Sequence, residues 1–105
     1  MRIDKWLWHA RLAKTRSLAG RLCEAGQVDL AGVPVRRPAQ LVKIGQTVTV
    51  SHGGWRRRVE ILDHGTRRGP AAEARLLYRE IDAIRLSSAD PGWQSLFGED
   101  DAAED

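Results

Sequence analysis

The chain has one cysteine, one methionine, one tyrosine and one phenylalanine among its 105 residues. A lone Cys23 cannot close an intrachain disulfide, so a stapled secreted scaffold is excluded. The apolar runs are only a few residues long, which excludes a membrane-spanning helix. The N-terminus lacks the apolar stretch of a signal peptide, and the cytoplasm is the expected compartment. Acidic residues are scarce where basic ones are dense. Residues 1–81 carry sixteen Lys or Arg against seven Asp or Glu; residues 82–105 carry one against seven. The overall charge of +3 thus joins a body of net +9 to a tail of net −6. Such a body attracts a polyanion, the alternative being a solvated basic surface. Catalytic constellations are missing as well. His9, His52 and His64 are scattered, and none stands at metal-ligand spacing with Cys23. There is no glycine-rich phosphate loop, so no enzyme activity, metal or cofactor is expected.

The residues that are present describe a small α+β domain. Ile3, Trp6, Leu7, Ala10 and Ala13 fall on one face at helical period, which predicts a helix over 3–12. Trp8 lies off that face and either stacks on a base or covers the sheet. Thr15 is placed to cap a second helix, 16–25, whose apolar row is Leu18, Ala19, Leu22 and Ala25; Gly26 would end it. Cys23 reads as a buried thiol on that helix. The period then becomes two. Val28 and Leu30 alternate, Ala31-Gly32 turns, and Val33-Pro34-Val35 returns as a short strand, in which Pro34 argues for an edge or an irregular position. Strands over 47–51 and 55–62 are joined by a short glycine loop and should pair antiparallel; Trp55 should pack. Residues 71–81, with Ala74, Leu77 and Ile81 in a row, predict a C-terminal helix. Past Ser87 the chain is small, polar and acidic and should be disordered, with Trp93, Leu96 and Phe97 as its one apolar cluster.

Six basic residues fall within the first 21: Arg2, Lys5, Arg11, Lys14, Arg16 and Arg21. Lys14-Thr15-Arg16 sits at a helix start, where a phosphate would find backbone N–H groups, a point charge, a fork and a hydroxyl. The competing reading pairs Arg16 with Asp4 or Glu24 and leaves Thr15 as a cap only. Gly20, one turn on, would let a backbone approach closely. Arg36-Arg37, Lys43, Arg56-Arg57-Arg58 and Arg67-Arg68 form a second basic group. Alternation in a strand keeps Arg57 off the face of its two neighbours.

Arg2-Ile3-Asp4-Lys5-Trp6-Leu7-Trp8, Ala10-Arg11, Lys14-Thr15-Arg16-Ser17-Leu18-Ala19 and Gly26-Gln27-Val28 together resemble the S-four-type RNA-binding domain. With Arg36-Arg37-Pro38, Arg67-Arg68, Pro70-Ala71, Glu73-Ala74 and Leu76-Leu77-Tyr78, the match over residues 2–81 is similar to ribosome-associated heat-shock proteins of the fifteen-kilodalton class. The resemblance implies two N-terminal helices packed on a small, mostly antiparallel sheet, followed by a C-terminal helix and the tail. It divides the chain into an RNA-binding domain over 1–65, a loop-and-helix extension over 66–86 and the tail over 87–105. It places Arg2, Lys5, Arg11, Lys14, Thr15 and Arg16 on the RNA surface, with Arg21, Arg36 and Arg37 extending it. Asp4 would orient neighbouring arginines or act as a cap rather than touch RNA. The implied partner is structured ribosomal RNA of the large subunit, bound by a monomer on the ribosome during recycling of stalled subunits under stress, with no membrane partner.

The sequence departs from the family at Ala31-Gly32, where Asn-Gly is usual, at Gly45-Gln46, where Gly-Asp is usual, and in ending on an acidic rather than a basic extension. Two other readings stay open: an accessory module of an RNA-modifying enzyme, whose catalytic domain this chain does not contain, and a protein-interaction module working through the acidic tail. The tail is also expected to compete with RNA for the basic face, and DNA stays open as a second polyanion.

Overall fold

The computed structural model describes residues 1–86. The expectations for Trp93, Leu96, Phe97 and the acidic tail lie outside the described residues. Two helices, α1 (Ile3–His9) and α2 (Arg16–Glu24), precede a five-stranded antiparallel sheet in the order β2-β1-β3-β4-β5. The strands are β1 (Val28–Leu30), β2 (Val33–Pro34), β3 (Thr47–His52), β4 (Trp55–Ile61) and β5 (Tyr78–Arg85).

The apolar row of α1 packs as its period demands. Ile3, Trp6, Leu7, Ala10 and Ala13 are all buried, together with Ala19, Leu22 and Cys23 from the second helix. Val28, Leu30, Val48, Val50, Val59 and Ile61 complete the core from one face of the sheet. The opposite face carries Thr49, Arg56, Arg58 and Asp82 and is open, as antiparallel sheets allow. Pro34 lies in the edge strand β2, where its missing N–H costs no ladder bond.

Both helices end in the same hydrogen-bond pattern. In α2 the N–H of Gly26 bonds to Cys23 and that of Gln27 to Leu22, with Gly26 at φ +77°. In α1 the N–H of Arg11 bonds to Trp8 and that of Leu12 to Leu7. The left-handed position there is Arg11, at φ +60°. The helix expected over 3–12 therefore stops at His9, and with Arg11 in the place a glycine usually fills, the sequence does not signal that end.

The reading of 71–81 as one helix is corrected. A single turn, α3 (Ala71–Ala74), and a 3₁₀ turn (Arg75–Leu77) give way to β5, which pairs along all of β4. Local helix propensity yields to the unpaired edge of β4, whose backbone groups need partners. Ala74 and Leu77 are buried as expected, but Ile81 is exposed at the point where the β4–β5 register shifts.

The Ala31-Gly32 hairpin has positive φ at both central residues, 53° and 83°, as a type I′ turn requires. Alanine is strained there. Ala31→Asn should raise stability by about 0.5–1 kcal/mol in urea denaturation. An unchanged or lowered midpoint would mean the turn does not hold this conformation in solution.

Candidate nucleic-acid interface

The N-terminal residues are tied down before α1 begins. The N–H of Ile3 bonds to the Gln40 carbonyl at 2.7 Å, that of Asp4 to Pro38 at 3.2 Å and that of Val42 to Met1 at 2.9 Å. These bonds bring the Arg36-Arg37-Pro38 loop against the start of α1. Asp4 is buried, its side chain only 6% exposed, and a buried carboxylate needs charged partners. Arg2 supplies a two-pronged one: Nε to Oδ1 at 3.1 Å and a terminal nitrogen to Oδ2 at 2.9 Å. Arg16 reaches the same carboxylate at a looser 3.8 Å. The first turn of α1 also favours the negative charge. Asp4 thus holds two arginines side by side, each still nearly half exposed.

Arg2, Arg16 and Arg21 line one open groove, with Gly20 and Pro38 in its floor. The close backbone approach expected at Gly20 is not seen: its neighbour is the Pro38 ring, which an added Cβ would meet at an ordinary 3.7 Å. Thr15 caps α2 by accepting from the Leu18 N–H at 2.9 Å. A threonine hydroxyl that accepts in this way also carries a hydrogen it can donate. Lys14, Arg36 and Arg37 are exposed. Arg11 and Lys14 face a different groove, on the far side of the α1–α2 corner, and Lys5 is half-buried and lines neither. The structure therefore gathers Arg2, Arg16 and Arg21, sets Arg36-Arg37 beside them through Pro38, and separates Arg11 and Lys14.

Three arginines of the second basic group, Arg57, Arg58 and Arg67, are held by carboxylates. Arg57 points to the helix side and grips Glu80 through two bonds of 2.9 Å, with the Tyr78 hydroxyl at 3.2 Å. That grip drives the Glu80 carboxyl below its usual range and the Arg57 guanidinium still higher. Arg58, on the other face, pairs with Asp82 at 2.7 Å, and Arg67 pairs with Glu73 at 2.8 Å. Arg68 donates to the Trp8 carbonyl at 3.2 Å and lies over the Trp8 ring, so an arginine partly covers the indole. Trp55, expected to pack, is 40% exposed. It stands opposite His52 across the hairpin, a pairing only the strand register reveals. Among the described residues no three His, Cys, Asp or Glu side chains gather at metal-binding distance. His9 and His64 serve as locks, one ring nitrogen of each on a backbone carbonyl. Burial pushes the Cys23 thiol up to about 11, helped by Asp4 and Glu24. It should resist iodoacetamide at neutral pH at any rate faster than unfolding; rapid labelling of the folded chain would contradict its burial.

Comparison with known proteins follows the same outline. The S4 domain model matches residues 1–48, which hold both helices, β1 and β2. Heat shock protein 15 of Escherichia coli (strain K12) is 41% identical over 80 residues, which is 76% of this chain and 59% of that protein. A homolog of heat shock protein 15 from Haemophilus influenzae is 31% identical over 93 residues, 89% of this chain and 70% of its own length. The chain belongs to the heat shock protein 15 family. A solved structure of the Vibrio cholerae heat shock protein 15, described as trimeric, superposes with a TM-score of 0.72 at 41% identity. It covers 76% of this chain and 80% of its own. The chain spans about three fifths of the Escherichia coli protein it matches. No described helix is long and apolar enough to cross a membrane.

Proposed function

We propose that this member of the heat shock protein 15 family is a non-catalytic, cytoplasmic RNA-binding protein that docks on structured RNA of the large ribosomal subunit, in the recycling of stalled subunits under stress. The observation that carries the reading is the Asp4-organised pair Arg2 and Arg16, extended by Arg21 in one open groove. Forked, pre-oriented guanidinium groups suit two neighbouring phosphates of a helical backbone. Thr15, Arg36 and Arg37 flank the groove, and Lys5, Arg11 and Lys14 widen the basic field around it. Phosphate contacts would supply most of the affinity, and 2′-hydroxyl contacts would separate RNA from DNA. Residues 1–65 would carry the binding, with 66–86 bracing it through the β4–β5 pairing. In this reading a monomer is the binding unit. Crosslinking in cells followed by sequencing of the bound RNA tests the assignment. Reads should concentrate on large-subunit ribosomal RNA; reads spread evenly over cellular RNA would overturn that partner.

A further inference from the structure

A second groove opens between the α1–α2 corner and the tip of the β3–β4 hairpin. Arg11 and Lys14 form one side; His52, Trp55 and Arg57 form the other. Every ionisable residue lining it is basic, whereas the first groove includes Asp4 and Glu24.

Arg11 is held there at a cost. It occupies the left-handed position that Gly26 fills at the end of α2, and a side chain in that conformation is disfavoured. Such strain persists where the surroundings fix it, and it clusters at functional sites. Here the Arg11 Nε donates to the Gly69 carbonyl at 2.7 Å. Its terminal nitrogens keep their hydrogens unspent among the described residues. Arg57 is fixed by Glu80 and Tyr78, so its charge is already paired and it acts as a rigid wall. Trp55 carries the Arg85 guanidinium 5.4 Å from its ring centroid and remains 40% exposed. A large, partly exposed indole beside the terminal nitrogens of Arg11 and the charge of Lys14 is the combination that single-stranded nucleic acid uses: stacking for a base, charge for its phosphate.

We propose that this groove holds one unstacked nucleotide of a single-stranded RNA segment, its base against Trp55 and its phosphate at Arg11 and Lys14. The inference rests on the RNA-binding reading and adds a strand-specific subsite to it. The partner RNA would then offer a paired stem to the Arg2–Arg16–Arg21 groove and a splayed nucleotide to this one.

The test uses the full chain and two probes, a short oligouridylate and a fully paired RNA hairpin stem. Adding oligouridylate should shift the Trp55 indole N–H resonance and leave that of buried Trp6 in place. Trp55→Ala should weaken oligouridylate binding about tenfold or more, and Trp55→Phe, which keeps a stacking face, should retain most of it. An unmoved Trp55 resonance in the native chain overturns the proposal without any variant having to fold. Wild-type affinity in Trp55→Ala overturns it too. If the hairpin still binds in either case, the RNA-binding reading survives and only this subsite fails. If neither RNA binds, both fail.

Discussion

Trp6→Ala is expected to cost about 3–5 kcal/mol of folding stability. Trp6 is fully buried at the centre of the α1 row, among core residues drawn from both helices and the sheet. Its indole N–H also donates to the Asp63 carbonyl at 2.9 Å, which together with the His9–His64 contact anchors the segment after β4 to α1. Truncation would remove a large apolar side chain, leave a cavity and orphan that carbonyl. A domain of this size has roughly 5–10 kcal/mol in total, so the variant should be partly unfolded at room temperature. Trp6→Phe fills most of the space and loses only the bond, and should cost about 1–3 kcal/mol. Urea unfolding followed by circular dichroism reads both. A loss below about 1 kcal/mol for Trp6→Ala would mean the core is not centred on this residue.

Arg16→Ala combined with Arg21→Ala is expected to lower affinity for a structured RNA hairpin roughly a hundredfold, since each lost charge-assisted contact is worth about 1.5 kcal/mol or more. The loss should be uniform across sequences, because phosphates carry no sequence information. The plot of log affinity against log salt should flatten by about one unit for each contact removed. Arg2 keeps its two-pronged hold on Asp4 when the looser Arg16 contact is lost, so folding should change little, and urea unfolding of the variant separates that change from the effect on binding. Wild-type affinity at about 150 mM salt would place the RNA elsewhere on the molecule.

Local patterns carried much of this fold into plain view. The α1 row, the Thr15 cap, Gly26 at the end of α2 and the alternation of Val48 with Val50 each rest on neighbours in sequence, and each is found. The misread segments depend on distant chain. Nothing near Tyr78 announces that β4 needs an edge partner, so helix formers at 71–77 pulled the reading past the true boundary. Arg11 ends α1 without the usual glycine, and no local signal marks that. The same division governs the site. The role of Asp4 beside arginines came with the family resemblance and with the repulsion between carboxylate and phosphate, and the structure places Arg2 and Arg16 on it. The split of Arg11 and Lys14 from Arg16 and Arg21 was not legible, because it depends on which side of the α1–α2 corner each side chain leaves. The juxtaposition of His52, Trp55 and Arg57 with Arg11 has no local signal for a similar reason: they meet only when the hairpin folds against the helical corner.

The central claim is that RNA lies across the Arg2–Arg16–Arg21 groove and the neighbouring Arg36-Arg37 loop. Backbone amide resonances recorded during titration with a structured hairpin from large-subunit ribosomal RNA test it most directly. The account predicts that the shifts cluster at residues 2–5, 14–21 and 36–38 and diminish as salt is raised. Shifts confined to the open sheet face around Thr49, Arg56 and Arg58, with the helical corner unmoved, would contradict it.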